Sequence, residues 1–246
     1  MQTLFIGQKL QVFEELQSTN TYLKEHINKN QLTEGFTVRS KHQTLGRGQI
    51  GNIWHDEPGR NLLFSIYLKP KFLSAVHFFK LNMSVCLAIV EVLNQYHPGF
   101  QIKWPNDILF KRKKVCGILI ENTISKSRIE SSVVGVGVNV NQKNFPNDAA
   151  AISMQQLMPS PLMLKDMFVK LLKQIEVEYL RLQKDDVNLL GRYLDKLYGR
   201  DNPVPVLYNG EERMLTIETV SEQGHLIAKL GKERHTFNFK EVSFIR

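Results

Sequence analysis

Cysteine is scarce in this chain: of 246 residues, only Cys86 and Cys116 carry thiols. Two thiols make neither a disulfide framework nor a zinc cluster, so the fold must rest on its own core. No uninterrupted apolar run approaches the ~20 residues that span a bilayer. The opening residues, MQTLFIGQKL, lack a basic stretch followed by an apolar one, so no signal peptide is expected. There is no Walker pattern, no zinc-finger spacing, no aromatic-rich RNA-binding motif and no helix-turn-helix pattern ahead of the first strand. Internal repeats and low-complexity tracts are missing too. A composition of 42% hydrophobic and 23% charged residues is ordinary for a globular protein. These absences leave a cytoplasmic enzyme or binding protein as the expectation.

What the chain has in excess is positive charge, a formal +8. Such a charge suits nucleic acid, but equally ATP, another small anion or an acidic protein partner.

The hydrophobic pattern predicts strands over Lys9 to Leu16, Phe36 to Lys41 and Asn61 to Leu68. Four more follow in a meander: Ile102 to Trp104, Ile108 to Phe110, Val115 to Ile120 and Ile129 to Val140. Ser18-Thr19-Asn20 stops the first strand and caps a helix over Thr21 to Asn28. Ser74 is read as the cap of a long helix with Val76, Phe79, Met83, Leu87 and Val90 on one stripe, ended by His97-Pro98-Gly99. After Ser160-Pro161, the residues Leu164, Phe168, Leu171, Leu172, Ile175 and Tyr179 mark a further helical face. Another helix is expected over Val187 to Leu197. Past Gly199, short strands around Asn209-Gly210 and Gln223-Gly224 predict a small β-barrel-like unit. The division expected is 1–198 and 199–246.

Three stretches carry more glycine and polar specificity than folding needs. In GRGQIGNIW, Gly46, Gly48 and Gly51 satisfy GxGxxG, yet no helical stripe follows, so a dinucleotide-binding turn is disfavoured. Arg47 sits between two glycines, where backbone can approach an anion closely and a guanidinium can grip it in two-pronged fashion. Trp54 is placed to cap an apolar ligand tail. In KWPNDILFKRKKVCGILIE, Trp104 to Asp107 reads as a turn that holds Asp107 beside Lys103. Most of Lys111 to Lys114 reads as a solvated turn; Lys114, directly ahead of a strand, is the candidate for function. Alternation puts Cys116 with Ile118 and Ile120 on a core face, which argues against a nucleophilic thiol. In VVGVGVNVN, Val134, Val136, Val138 and Val140 share one face. Gly135, Gly137, Asn139 and Asn141 share the other, either bare for a flat ligand or filled by a close-packed helix.

Together these segments resemble the biotin protein ligase family. STN at Ser18 to Asn20, Q-x-x-GRG-x-x-G-x-x-W from Gln43 to Trp54, KWPND followed by K-x-x-GIL-x-E, and GVGVNVN occur in the family's order. The resemblance spans essentially the whole chain. It implies an α+β fold: a mixed, largely antiparallel central sheet with flanking helices, like class II synthetases, plus a small C-terminal SH3-like β-barrel. It implies a two-step reaction in which ATP, with Mg2+, activates biotin to biotinyl-5′-AMP, and the biotin then passes to one lysine of a biotin carboxyl carrier protein. By the same resemblance, Ser18, Thr19, Asn20, Gln43, Gly46, Arg47, Gly48, Gln49, Trp54, Lys114 and Gly117 contact biotin. Arg47, Gln49, Asn106, Asp107, Lys114, Gly135 and Asn139 contact ATP or the adenylate. Lys114, Arg47, Asp107 and Lys103 surround the reacting atoms, and magnesium ligands are not assigned.

The residue types suit that chemistry. A carboxylate is already ionised at neutral pH, so activation needs no base; its barrier is the approach of two anions. Unit charges 4 Å apart interact by about 4 kcal/mol at an effective dielectric of ~20. Arg47 and Lys114 offset that repulsion. In the transfer step an acceptor amine must lose a proton, for which Asp107 is the expected acceptor or orienter.

The chain departs from better-known members at Gln49, Ile50 and Asn52, where a GRGRRGR loop carries arginines; fewer cations imply looser retention of the adenylate. The DNA-binding domain of some members is missing from the sequence, so no DNA partner is expected. No membrane partner is expected either, and a homodimer is within the family's range. The alternatives are a lipoate or octanoate ligase or transferase of the same fold, and a basic nucleic-acid-binding protein.

Overall fold

The alternating strand VVGVGVNV sets the plan of the molecule, because each of its faces does a different job. A computed structural model describes residues 3–30, 32–49, 51–145 and 150–245. Seven strands form the main sheet: β1 (Leu10–Leu16), β2 (Thr37–Gln43), β3 (Leu62–Leu68), β4 (Phe100–Lys103), β5 (Asp107–Phe110), β6 (Lys113–Ser125) and β7 (Arg128–Val138). Their order is β1-β2-β3-β7-β6-β5-β4. Only β1 and β2 pair in parallel; the other neighbours are antiparallel. A parallel pair needs a crossover, and helix α1 (Thr19–Asn30) supplies it.

On one face, Val134, Val136 and Val138 of β7 join Leu62, Phe64, Ile66 and Leu68 of β3 in the main core. Helices α2 (Phe78–Asn94) and α3 (Leu164–Gln183) cover this face. Each fully buried valine or leucine contributes about 1.5–3 kcal/mol by leaving water. On the opposite face a smaller cluster of Leu23, Leu32, Val38, Tyr67 and Val133 seats α1. Beyond that cluster the same face turns polar and bare, through Ser65, Gly135 and Gly137.

The mixed, largely antiparallel sheet with flanking helices is the expected architecture, and its differences in detail have physical causes. The first helix starts at Thr19, two residues earlier than read, because Ser18 accepts the bonds that close its first turn. The long helix starts at Phe78, not after Ser74: Ala75–His77 form a 3-10 turn, with Ser74 Oγ 2.9 Å from His77 Nδ1. Val76 falls in that turn and is exposed, not part of the core stripe. The helix expected over Val187 to Leu197 shortens to α4 (Leu189–Leu194). The stretch Ala75–Asn94 is long and apolar enough by composition to cross a membrane, although charged and polar residues interrupt it, and most of it is buried inside the protein. Its apolar surface is the core contact of α2 and α3.

The C-terminal residues form a second, antiparallel sheet: β8 (Val204–Tyr208), β9 (Glu211–Val220), β10 (Leu226–Leu230), β11 (Glu233–Phe237) and β12 (Ser243–Phe244), ordered β11-β10-β9-β8-β12. Asn209 and Gly210, both left-handed, make the β8–β9 turn as the Asn-Gly pair predicts.

The N-terminal segment is tied down by one carboxylate. Glu176 on α3, 4% exposed, accepts the backbone N–H groups of Leu4, Phe5 and Ile6 at 2.6, 2.8 and 2.8 Å. Glu176→Ala leaves three donors without an acceptor. The expected loss is about 3 kcal/mol, read as a lower urea midpoint at unchanged m-value; a midpoint equal to wild type contradicts it.

Candidate active site

The bare face of the main sheet opens into a cavity of about 610 Å³. Its floor is made by two glycines that face each other across neighbouring strands, Gly117 on β6 and Gly137 on β7. The indole of Trp54 lies on this floor: a Cβ added at Gly137 would meet the ring at 2.7 Å, and one at Gly117 would meet it at 3.0 Å. Gly135, next along β7, is covered by the Asn20 side chain at the start of α1. The bare face is therefore occupied by two of the protein's own side chains.

One end of the cavity is a hydrogen-bonding corner built where α1 begins. Thr19 N and Oγ1 approach Gln43 Oε1 at 2.8 and 3.1 Å. Ser65 Oγ lies 2.6 Å from both Thr19 Oγ1 and Asn20 Oδ1. Asn20 Nδ2 donates to Leu119 O and to Glu121 Oε2, at 3.2 and 2.9 Å. Ser18, Thr19, Asn20 and Gln43 all line the cavity here.

The glycine loop is a closed hairpin. Gly48 N donates to Asn52 O, Trp54 N donates to Gly46 O, and Arg47 bridges Ile53. Arg47, Gly48, Gln49, Asn52, Ile53 and Trp54 line the cavity; Ile50 lies outside the described residues. Arg47 Nη2 pairs with Glu121 Oε2 at 2.9 Å, and Lys24 Nζ pairs with the other oxygen at 2.8 Å. Burial acts to raise the Glu121 pKa, but hydrogen bonds from Lys24 and Asn20 and the charge of Arg47 outweigh it and hold the carboxyl below its usual value.

The opposite end is cationic. Asp107, at the start of β5, is buried between two ammonium groups: Lys114 Nζ at 2.7 Å from Oδ1 and Lys103 Nζ at 3.0 Å from Oδ2. Burial raises its pKa, yet the charges of Lys114 and Lys103 and the hydrogen bonds from both prevail and lower it to about 2. Asp107 is thus an ionised anchor for two lysines at neutral pH, and a poor proton acceptor. Lys114 Nζ also lies 5.5 Å above the Trp54 ring. Cys116 is fully buried; burial pushes its thiol well up, with Lys114 opposing and Asp107 adding to the effect, so it stays protonated.

The cavity thus gathers Ser18, Thr19, Asn20, Gln43, Arg47, Gly48, Gln49, Trp54, Lys103, Asn106, Asp107, Lys114, Gly117 and Gly135. Two expected residues do not line it. Gly46 lies beneath Trp54, where a Cβ would meet the Trp54 carbonyl at 2.5 Å. Asn139 is buried, with its backbone bonded to Val115 and Met154 and its Oδ1 without a hydrogen-bond partner among the described residues. Asn106 lines the cavity, but its amide donates to Ile118 O across the sheet.

Two contributions escape a reading of the sequence. Glu121, which holds Arg47, Lys24 and Asn20 together, ends the K-x-x-GIL-x-E run, and only that spacing hints at it. Lys240, Val242, Ser243 and Phe244 of the C-terminal segment also line the cavity, and no local signal marks them. Among the described residues, the side chains on the cavity wall include four cations, Arg47, Lys103, Lys114 and Lys240, against one carboxylate, Asp107. Among the described residues, no group of three or more His, Cys, Asp or Glu could hold a metal ion.

One cavity on the mixed sheet thus joins a hydrogen-bonding corner, a flat floor and a cationic end. Residues 12–139, just over half of the chain, match the Biotin/lipoate A/B protein ligase family, and the protein belongs to it. Among curated relatives, the bifunctional ligase/repressor BirA of Bacillus subtilis is 36% identical over 150 residues, 60% of this chain and 45% of that protein. The chain thus matches less than half the length of that relative. The biotin–[acetyl-CoA-carboxylase] ligase of Mycobacterium tuberculosis is 24% identical over 243 residues, 97% of this chain and 90% of that protein. Among solved structures, the biotin protein ligase of Aquifex aeolicus in complex with biotin and ATP superposes with a TM-score of 0.80 at 26% identity, covering 97% of this chain and 99% of that one.

The Asp107 pKa lies below that of an unfolded aspartate. The stability this carboxylate adds is therefore present above about pH 4 and lost as pH falls toward 2. Asp107→Asn is expected to cost about 2 kcal/mol at pH 7, a deficit that narrows between pH 4 and pH 2 in urea titrations. A deficit independent of pH over that range contradicts the assignment.

Proposed function

We propose that the protein is a biotin protein ligase: it joins biotin to AMP at the expense of ATP, then transfers the biotin to a lysine of a biotin carboxyl carrier protein, that of acetyl-CoA carboxylase or a related enzyme. The observation that carries this reading is the two-ended cavity. Ser18, Thr19, Asn20 and Gln43 present donors and acceptors at one end, the chemistry that a ureido ring requires. Lys103 and Lys114 present cations at the other end, where a carboxylate and a phosphate would meet, and Arg47 stands on the glycine loop, paired with Glu121. A lipoyl head has no hydrogen-bonding groups on its ring, so it would gain no hydrogen bonds from this corner. The similar ligase of Aquifex aeolicus, solved in complex with biotin and ATP, and the similar biotin–[acetyl-CoA-carboxylase] ligase of Mycobacterium tuberculosis point the same way.

In this reading the biotin carboxylate attacks the α-phosphorus and pyrophosphate leaves. Arg47 exchanges Glu121 for the ligand, and Lys114 shares its charge between Asp107 and the incoming anion. Trp54 shifts on the glycine floor to admit a flat group. Asp107 positions the two lysines throughout; with a pKa of about 2 it does not take the acceptor's proton. The attacking lysine of the carrier gives its proton to solvent, then attacks the carbonyl carbon of the mixed anhydride; the amide forms as the acyl–phosphate C–O bond breaks and AMP leaves. Magnesium would fit as a companion of ATP held by its phosphates: Asp107, the one carboxylate on the wall among the described residues, is already bridged by two lysines, so no step is assigned to a protein-held ion. The reading carries no DNA or membrane partner, and its substrates place it in the cytoplasm.

Biotin-dependent ATP–pyrophosphate exchange, with lipoate as the control, tests the proposal. Exchange with biotin alone supports it; exchange with lipoate but not biotin refutes it. Lys114→Ala is expected to lower kcat/KM for exchange by at least about 100-fold, the scale of removing a group that stabilises transition-state charge. Exchange within a few fold of wild type contradicts the role of Lys114.

A further inference from the structure

The wall at the cationic end of the cavity comes from the other sheet, and three contacts fix it there. The buried indole of Trp104 stacks on Phe239, with centroids 5.3 Å apart and planes at 21°. Its Nε1 donates to Gly224 O at 2.9 Å. At the far end Arg112 donates to Ile245 O at 3.0 Å, and Ile245 N donates to Pro205 O at 3.0 Å. Between these anchors runs β12, only two residues long, paired to β8 through Ser243↔Leu207 and Phe244↔Val206. So short a ladder does not set its own position; the anchors do. Phe244 is thereby held at the cavity with its ring 5.8 Å from Lys103 Nζ. Lys103 in turn donates to Asp107 Oδ2 at 3.0 Å.

We infer that Phe244 is a positioning residue: it holds the Lys103 ammonium against Asp107 and so sets where the Lys103–Asp107–Lys114 cluster meets the ligand. A lysine head on a four-carbon stem is free to wander, and an aromatic face on one side with a carboxylate on the other restricts it to one place. Through this contact the small C-terminal sheet becomes a working wall of the site, and Trp104 of the KWPND turn is its bolt, not a ligand group. The inference deepens the ligase reading and rests on it for the role of the cluster.

Phe244→Leu removes the aromatic face while keeping a large apolar side chain. The expected result is a fall of about five-fold in kcat for biotin-dependent exchange, the scale of one cation–π contact. Biotin affinity, measured by calorimetry without ATP, stays the same, and Phe244→Tyr restores the rate. In a Lys103→Met background, Phe244→Leu adds no further loss. A second readout does not depend on activity: reductive methylation with 13C-formaldehyde gives a Lys103 resonance, assigned through Lys103→Arg. It is expected to move toward the position of exposed lysines in Phe244→Leu and to return in Phe244→Tyr. An unmoved Lys103 resonance, losses that add to those of Lys103→Met, or a parallel fall in biotin affinity overturns the inference. A wild-type protein without biotin-dependent exchange, but with a Lys103 resonance that moves in Phe244→Leu, refutes the ligase reading and upholds the position of Phe244.

Discussion

Asp107 lies between Lys103 and Lys114, and its charge is what allows two ammonium groups to stay beside a largely apolar floor. Without it, like charges so close would repel, and each lysine would swing toward solvent. With it, the three groups carry a net single positive charge, fixed at the turn from β4 to β5. The turn is rigid because Trp104 is bolted to the C-terminal sheet and Asn106 is pinned to β6. Burial alone would raise the pKa of a carboxylate at this spot; the lysines outweigh that and lower it to about 2. One ion triplet thus ties together the sheet, the second sheet and the charged end of the cavity.

The same economy governs the floor. A strand that alternates valine with glycine buries a full core on one side and leaves a flat surface on the other, within a single stretch of backbone. In this structure Asn20 and Trp54 lie on that surface. Both belong to segments with their own reasons to be there: Asn20 opens the crossover helix α1, and Trp54 closes the glycine hairpin. Glu121 links them indirectly, since it holds Asn20, Lys24 and Arg47 at once. A ligand that draws Arg47 away from Glu121 therefore acts on both the hydrogen-bonding corner and the loop.

What could be read from the sequence followed its local periodicity. The two-residue alternation of β7, the burial of Cys116 and the stripe of α3 are set by near neighbours, and they are as the pattern predicts. The start of α2 differs from the pattern because Ala75–His77 have helix-compatible residues but bond in a tighter turn. At the site, residues on short motifs lie together because β-strands β5, β6 and β7 bring KWPND, Lys114 and GVGV side by side. Gly46 and Asn139 sit on those same motifs yet do not line the cavity, because Gly46 packs against Trp54 and Asn139 is buried. Glu121 and the wall formed by Lys240 and Val242 to Phe244 depend on contacts between distant parts of the chain, for which no local pattern exists.

The claim at the centre of this account is that one cavity takes biotin at its hydrogen-bonding corner and ATP toward its cationic end. A crystal structure with biotin and a non-hydrolysable ATP analogue bound tests it most directly. The account predicts the ureido ring against Ser18, Thr19, Asn20 and Gln43, the biotin carboxylate within about 3 Å of Lys114, and Arg47 released from Glu121. A biotin ring lodged beside Phe244, or Arg47 still paired with Glu121 in the ternary complex, would contradict it.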